Sequence, residues 1–400
     1  MRLNPHSIRT TALIVALVGT GPLSTDMYLP ALPEIRAAFA VDTAAVQMTL
    51  SIFLAGLAVA QLVLGPLSDR FGRRPVLIGG MALYALASVA CVYAPTIEWL
   101  MAARFVQAVG VCAGGVVGRA VVRDIHGRIG AARMLSHVST AIAVAPLVAP
   151  LVGGHLAVSF GWASIFWAMA AIGVFVYAAT WVLLPETNIQ PKADALNPKR
   201  FAKNYSELLG SSNFRAYMFA TAFCFSGLFA FISGSSFILI DTLKMAPDHF
   251  GFAFGFVVVG FMVGSHFGGR WVKRLGIERL VAIGGRMAMA TGALALGLSL
   301  LGPTTIFTVI VPAALYLVSV GLILPSAMAG AISPYPHMAG AASALVGFVQ
   351  MMLAAGAGAL VGHIHDGTPV PMMAVMAVCG VLAWAFARQA KPEVDTPEAA

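Results

Sequence analysis

The chain has 400 residues, of which 59% are apolar and 10% charged, with a mean hydropathy of +0.88 and a formal net charge of +8. A water-soluble globule carries roughly 25% charged residues, so there is too little polar surface here for a cytosolic enzyme, a disordered chain or a secreted disulfide scaffold. The chain belongs in a bilayer. Its four cysteines, Cys91, Cys112, Cys224 and Cys379, lie in apolar runs without a CxxC pair, which predicts free, buried thiols.

A crossing helix needs about 20 mainly apolar residues. In chain order, the sequence predicts helices near 9–31, 44–68, 75–97 and 98–122. The charge-free run 134–185 supplies two more, broken at Ser159-Phe160-Gly161-Trp162. Stretches 216–240 and 249–269 follow. The region 287–365 holds three helices, broken at Gly302-Pro303 and Ser333-Pro334-Tyr335-Pro336, and 367–387 completes twelve. No short apolar core with an Ala-x-Ala-like site precedes the first helix, which therefore reads as retained. Apart from Arg36, Lys244 and the intramembrane Arg104, all Lys and Arg fall on one face, hereafter the basic face. The positive-inside rule makes that face and both termini cytoplasmic. It also explains the net charge without nucleic acid as a partner.

The longest polar stretch follows the sixth helix. The expected organisation is a six-helix bundle at 1–185, a linker at 186–213, a second bundle at 214–390 and a tail at 391–400. An internal echo supports two related halves: Gly65-x-x-x-Asp69-Arg70-x-Gly72-x-Arg74 recurs half a chain later as Gly269-x-x-x-Lys273-Arg274-x-Gly276-x-Glu278.

Between helices two and three, Gly65, Asp69, Arg70, Gly72, Arg73 and Arg74 form a tight turn of small and oppositely charged residues. Read by itself this is a topology-setting basic loop. It also resembles the loop signature of the major facilitator superfamily. Helix five contains Ala145-Pro146-Leu147-Val148-Ala149-Pro150-Leu151-Val152-Gly153-Gly154. The prolines Pro146 and Pro150 remove helical hydrogen bonds and are expected to bend the helix, while Gly153 and Gly154 permit close packing. The segment resembles the element of that superfamily's proton-coupled drug antiporters. The end of helix one, Asp26-Met27-Tyr28-Leu29-Pro30, is similar to the start of the Bcr/CflA drug-resistance transporters. The resemblance implies an all-α membrane protein with twelve helices in two pseudo-symmetric six-helix bundles, and no enzyme activity.

Asp26 is the acid expected within the hydrocarbon depth, where a carboxyl is a functional candidate; a headgroup-level acid capping the break before Pro30 is the alternative reading. Arg104, in Arg104-Phe105-Val106-Gln107, resembles the superfamily's fourth-helix element and needs a carboxylate, carbonyl or water as partner. Asp26 lies at comparable depth, so the two are the proton-coupling candidates; an arginine tied to helix-one carbonyls is the alternative. Polar positions at helical spacing nominate Gln47, Ser51 and Gln107 as cavity residues, with Tyr28, Phe229, Ser233 and Gln350; helix packing by small residues competes for the same stripes. The aromatic run of helix seven also includes Phe223, Phe225 and Phe237, with His266 on helix eight; a lipid-facing or core stripe is the competing account. A conformational lock is expected from the turn residues with Arg123 and Asp124: Asp124 meeting Arg73, and Asp69 meeting the N-terminus of helix eleven near residue 338.

His363-Ile364-His365-Asp366 reads as a solvated turn with no fourth ligand, so no metal is expected. Phosphate-loop and common hydrolase motifs are absent from the sequence, and no cofactor is expected. Together the residues and the resemblance imply a monomeric, proton-coupled exporter of small lipophilic drug-like compounds in a bacterial inner membrane. A symporter or facilitator importing a small metabolite is the alternative.

Overall fold

The computed structural model describes residues 8–142, 144–188 and 196–391; part of the expected linker and nearly all of the expected tail lie outside the described residues. Among these residues the protein is all-helical, without strands. The elements are α1 (Ile8–Asp26), α2 (Leu32–Phe39), α3 (Thr43–Phe71), α4 (Arg73–Val92), α5 (Ile97–Ile142), α6 (Ala145–Phe160) and α7 (Ala163–Leu183). They continue with α8 (Pro198–Gly210), α9 (Ser212–Ser236), α10 (Pro247–Leu275), α11 (Ile277–Leu301), α12 (Ile306–Ile332), α13 (Ala339–His363) and α14 (Val370–Ala387). Among the described residues eleven segments are long and apolar enough to cross a membrane, and α6 is a shorter apolar helix. The fold is that of a twelve-helix, multi-pass membrane protein.

Local chemistry sets the helix ends. The Asp42 carboxylate accepts from the Ala45 N–H at the start of α3, Ser211 caps α9, and Thr305 and Thr308 form a capping box at α12. One residue, Gly72, joins α3 to α4 at φ 100°, and one residue, Gly276, joins α10 to α11 at φ 78°. Both angles lie where side chains are strained, so the internal echo seen in the sequence is the same turn built twice.

Three predicted boundaries move. The first helix ends at Asp26 rather than near residue 31; a turn at Met27–Tyr28 and a short 3₁₀ segment, Leu29–Ala31, intervene before α2. Pro30 and Pro33 lack the N–H that would continue α1, and each sits at the opening of a new helical segment. In the fifth crossing, Pro146 opens α6 rather than bending it, because the first turn of a helix needs no donor there; only Pro150 is interior. At 46 residues α5 exceeds one crossing. Its first part crosses as Ile97–His126, after which Met134 and Val138 pack back beside Ile14 and Val122, and its end joins α6. The third change is α8, an amphipathic helix inside the polar linker, with Leu208 fully buried.

The first six crossings pack on one another, as do the last six, and the two sets meet mainly through α3 with α13 and α6 with α10. Burial shows where they meet. Away from the basic face a single apolar core runs across both sets, joining Tyr28, Phe53 and Phe166 to Phe229, Phe237 and Val361. Toward the basic face Leu17, Leu64, Leu77, Val117 and Leu184 form a separate core of the first set alone. The two sets are thus sealed at one end and parted at the other. All four cysteines are free and buried.

Candidate functional site

Arg104 on α5 is completely buried. Its guanidinium lies 4.1 Å from the Phe53 ring centroid, 4.5 Å from Tyr28 and 5.8 Å from Phe166. Nη1 donates to Gln107 Oε1 at 2.7 Å and to the Ser24 carbonyl at 3.3 Å, whereas Nε and Nη2 have no hydrogen-bond acceptor among the described residues. Three aromatic faces stand in for the missing acceptors, since a desolvated cation over a π face is stabilised by about 2 kcal/mol. The network continues through the Gln107 amide to Ser88 Oγ at 2.7 Å and through Ser24 Oγ to the Tyr84 hydroxyl at 2.7 Å. Tyr28 itself bonds Thr49 at 2.8 Å.

Asp26 is 6% exposed. The expected contact with Arg104 is not made: no partner of Arg104 is a carboxylate, and Asp26 has no hydrogen bond or ion pair among the described residues. Helical geometry explains the separation. Ser24 faces Tyr84 and the Arg104 network, and Asp26, two residues later, lies about 200° around the same helix. Arg104 is therefore the helix-one-tethered arginine of the alternative reading, and Asp26 occupies the other side of α1. Replacing Arg104 with Lys keeps the charge but cannot cover three rings; a loss of about 2 kcal/mol or more, read as a lower melting temperature in micelles, is the expected result.

The cavity candidates separate into two groups. Gln107 points into the first set of helices and does not face the second. Gln47, Ser51, Phe229 and Ser233 converge on α13, where a Cβ at Gly362 would come within 2.7 Å of Gln47 Oε1 and one at Gly358 within 3.0 Å of Ser51 Oγ and 2.9 Å of Phe229. Ser233 Oγ donates to the Gly358 carbonyl at 3.4 Å. Among the described residues both polar atoms of the Gln47 amide and the Ser51 hydroxyl are buried without partners. Gln350 is buried on the same helix α13. His266 is instead exposed and bonded to Arg270 at 2.6 Å, and Phe223 stacks on Phe386, so neither joins this group.

The glycines of α6 each face a different partner. A Cβ at Gly153 would overlap the Met27 carbonyl in the α1–α2 turn, and one at Gly154 would overlap the Pro247 carbonyl of α10. Pro150 is buried beside them.

At the basic face Arg73 joins Asp69 at 2.6 Å and Asp124 at 3.0 Å, so the expected Arg73–Asp124 pair is present. Asp69 does not reach the N-terminus of α13; its carboxylate is held by Arg73 within its own turn, on the parted side of the molecule. Gly65 packs near Val116, Arg70 lies over Phe71, and Arg123 is exposed. Sequence reading missed Glu186, whose carboxylate accepts from the backbone N–H groups of Arg73 and Arg74 at 2.9 and 3.1 Å. It thereby caps α4 from the linker, and a Cβ on Gly72 would collide with it. Arg74 in turn reaches the Trp181 carbonyl at 2.8 Å. The signal was present as an acid directly after the sixth crossing. With Glu186→Ala, α4 is expected to lose about 1 kcal/mol at its N-terminus, seen as faster amide exchange over residues 73–76.

In the turn after α13, Asp366 accepts from the Thr368 N–H and hydroxyl at 2.8 and 2.7 Å. Those bonds, the side-chain one first, hold its carboxyl below the usual carboxylate range.

The sequence model of the Major Facilitator Superfamily matches residues 14–359. An uncharacterised MFS-type transporter, YdgK, of Bacillus subtilis is 34% identical over 92% of both chains. The bicyclomycin resistance protein homolog of Haemophilus influenzae is 31% identical over 90% of both, and multidrug resistance protein D of Escherichia coli is 30% identical over 95% of both. Among solved structures, a D-xylose–proton symporter superposes with a TM-score of 0.75 at 16% identity, covering 97% of this chain and 99% of that one. A bacterial homolog of the human lysosomal transporter Spinster, in an inward-facing and occupied conformation, superposes with a TM-score of 0.74 at 15% identity, covering 96% and 97%. The chain belongs to the major facilitator superfamily, a family of membrane transporters, and its Bcr/CflA-like first helix agrees with the names of these relatives.

Proposed function

We propose that this protein is a proton-coupled exporter of small, lipophilic, drug-like compounds in a bacterial inner membrane, with both termini cytoplasmic. The carrying observation is Asp26: a buried carboxyl on a crossing helix, with no ion pair among the described residues and on the side of α1 turned from the Arg104 network. Such a group can gain or lose a proton as its surroundings change. The bicyclomycin- and multidrug-resistance names of the relatives support drugs as cargo, and the charge asymmetry supports the orientation.

In this reading the parted end faces the cytoplasm and the sealed end faces outward, so cargo enters from the inside. Rocking of the two halves opens the α3–α13 and α6–α10 contacts, cargo leaves, and Asp26 takes up a proton from outside. The Arg73–Asp69–Asp124 cluster, with Arg74, Gly65 and Gly72 shaping its turn, belongs to the lock that holds the basic face closed in the opposite state.

A membrane voltage of about 150 mV supplies about 3.5 kcal/mol per proton, enough for one coupled proton to hold an uncharged drug at a roughly 300-fold gradient. The test is a drug-susceptibility and accumulation panel in a pump-deficient bacterial host, with and without an uncoupler. Expression is expected to lower accumulation of at least one compound, with the effect erased by the uncoupler. Uncoupler-sensitive uptake in place of efflux would establish the importing alternative.

A further inference from the structure

The sealed end carries a charge cluster that the coupling scheme does not use. Arg36, on α2 of the first half, reaches across to Asp241 at the end of the seventh crossing, Nη2 to Oδ2 at 3.0 Å. The same guanidinium lies 5.6 Å from the Phe237 ring centroid and donates to Thr43 at 3.2 Å. The His365 ring lies 5.9 Å from that of Phe237, centroid to centroid. Thr242, beside Asp241, bonds the Gly367 carbonyl at 2.9 Å, so the end of the seventh crossing and the turn bearing His365 move as one piece of the second half. One half thus contributes Arg36 and the other contributes Phe237, Asp241 and His365.

We propose that His365 is a second proton-binding site of this protein, and that its protonation releases an outer latch formed by Arg36, Phe237 and Asp241. The charged groups around His365 are Asp366 on its own turn, Asp241 from the seventh crossing and Arg36 from the opposite half. Asp366, the strongest of these, holds Thr368 through Oδ1 alone and stays with His365 on the second half whether the latch is open or closed. An imidazolium also repels Arg36 and attracts Asp241, weakening an attraction between the halves in favour of one within the second half. The Arg36 and Asp241 side chains are 35% and 31% exposed, although the Oδ2 that meets Arg36 is buried; a pair at this exposure contributes about 1 kcal/mol or less, so one added charge beside it shifts its balance.

Linkage sets the direction. In the latched state partial burial holds His365 below its ordinary value of 6.5, so the proton binds more weakly there than in an opened, hydrated state. Acid therefore favours opening, in the window from about pH 6.5 downward. For an exporter driven by external protons this opens the release side when protons are abundant there. That consequence rests on the exporter reading; the latch itself does not.

The test uses full-length protein in nanodiscs, with paired spin labels at the exposed positions Ala38 and Ala246, one in each half. Because the native cysteines are buried, the engineered pair is labelled selectively. On acidification below pH 6.5 the wild-type distance is expected to lengthen, the open-to-closed ratio rising by up to about tenfold per pH unit, the ceiling for one proton. His365→Gln should flatten this response, and Asp241→Asn should raise the open-to-closed ratio by up to about fivefold at every pH. Arg36→Asp should do the same, and the exchange Arg36→Asp with Asp241→Arg should close it again at neutral pH. An unchanged acid response in His365→Gln, or a folded charge exchange that stays open, overturns the proposal. A response kept in His365→Gln but lost in Asp26→Asn assigns the proton to Asp26 and rejects the latch while leaving the exporter intact. Transport lost in Asp26→Asn alongside normal acid opening supports both sites separately.

Discussion

Asp26→Asn is expected to abolish uphill efflux while leaving the protein folded. The substitution preserves shape, and Asp26 has no ion pair or hydrogen bond among the described residues to lose, so the change in stability should stay within about 1 kcal/mol. What disappears is the proton. Without a titrating group on that side of α1, cargo movement no longer draws on the proton gradient, and the roughly 300-fold concentration ratio that one proton sustains collapses toward unity. Downhill exchange of labelled cargo should survive, because rocking of the halves does not need the charge. Proteoliposomes with an imposed pH gradient separate the two: uphill accumulation lost, equilibrium exchange retained. Full proton-driven accumulation by the Asn variant would remove Asp26 from the mechanism.

The adjacent glycines of α6 should respond to side chains in different ways. Gly154 touches Pro247 and Asp248 of the opposite half, so Gly154→Val obstructs the sealed state specifically. Overpacking of this kind costs about 1–3 kcal/mol, which shifts the balance toward an open outer face by roughly 5- to 150-fold. Folding and expression should be near normal, because the contact exists in one state only, while transport stalls. Gly153 instead abuts Met27 within its own half, a contact both states retain. Gly153→Val should therefore lower thermal stability and expression instead of biasing the conformation. Melting temperature and outer-face spin-label distances distinguish the pair; a Gly154→Val protein whose outer face stays closed would place the moving contact elsewhere.

The architecture was legible because lipid imposes a simple local condition: a backbone in hydrocarbon must satisfy its own hydrogen bonds over about 20 apolar residues. Crossings and most of their breaks could thus be placed from runs of residues, and the Gly72 and Gly276 turns from a repeat. Arg73 with Asp124 could be anticipated as well, since opposite charges at neighbouring helix ends have few other partners. The errors arose where several helices share one decision. Arg104 and Asp26 are at similar depth, but depth does not give azimuth, and azimuth depends on where α1 ends. Phe53 and Phe166 look like ordinary apolar residues until the fold brings both against a guanidinium. Arg36 and Asp241 are single charges far apart in sequence, and the linker acid Glu186 becomes a cap only when the sixth crossing ends beside the start of α4. Hydropathy and charge, summed along the chain, therefore determined what spans the bilayer and on which face the basic residues lie. Side-chain direction, set by the packing of helices distant in sequence, was decided by the tertiary structure alone.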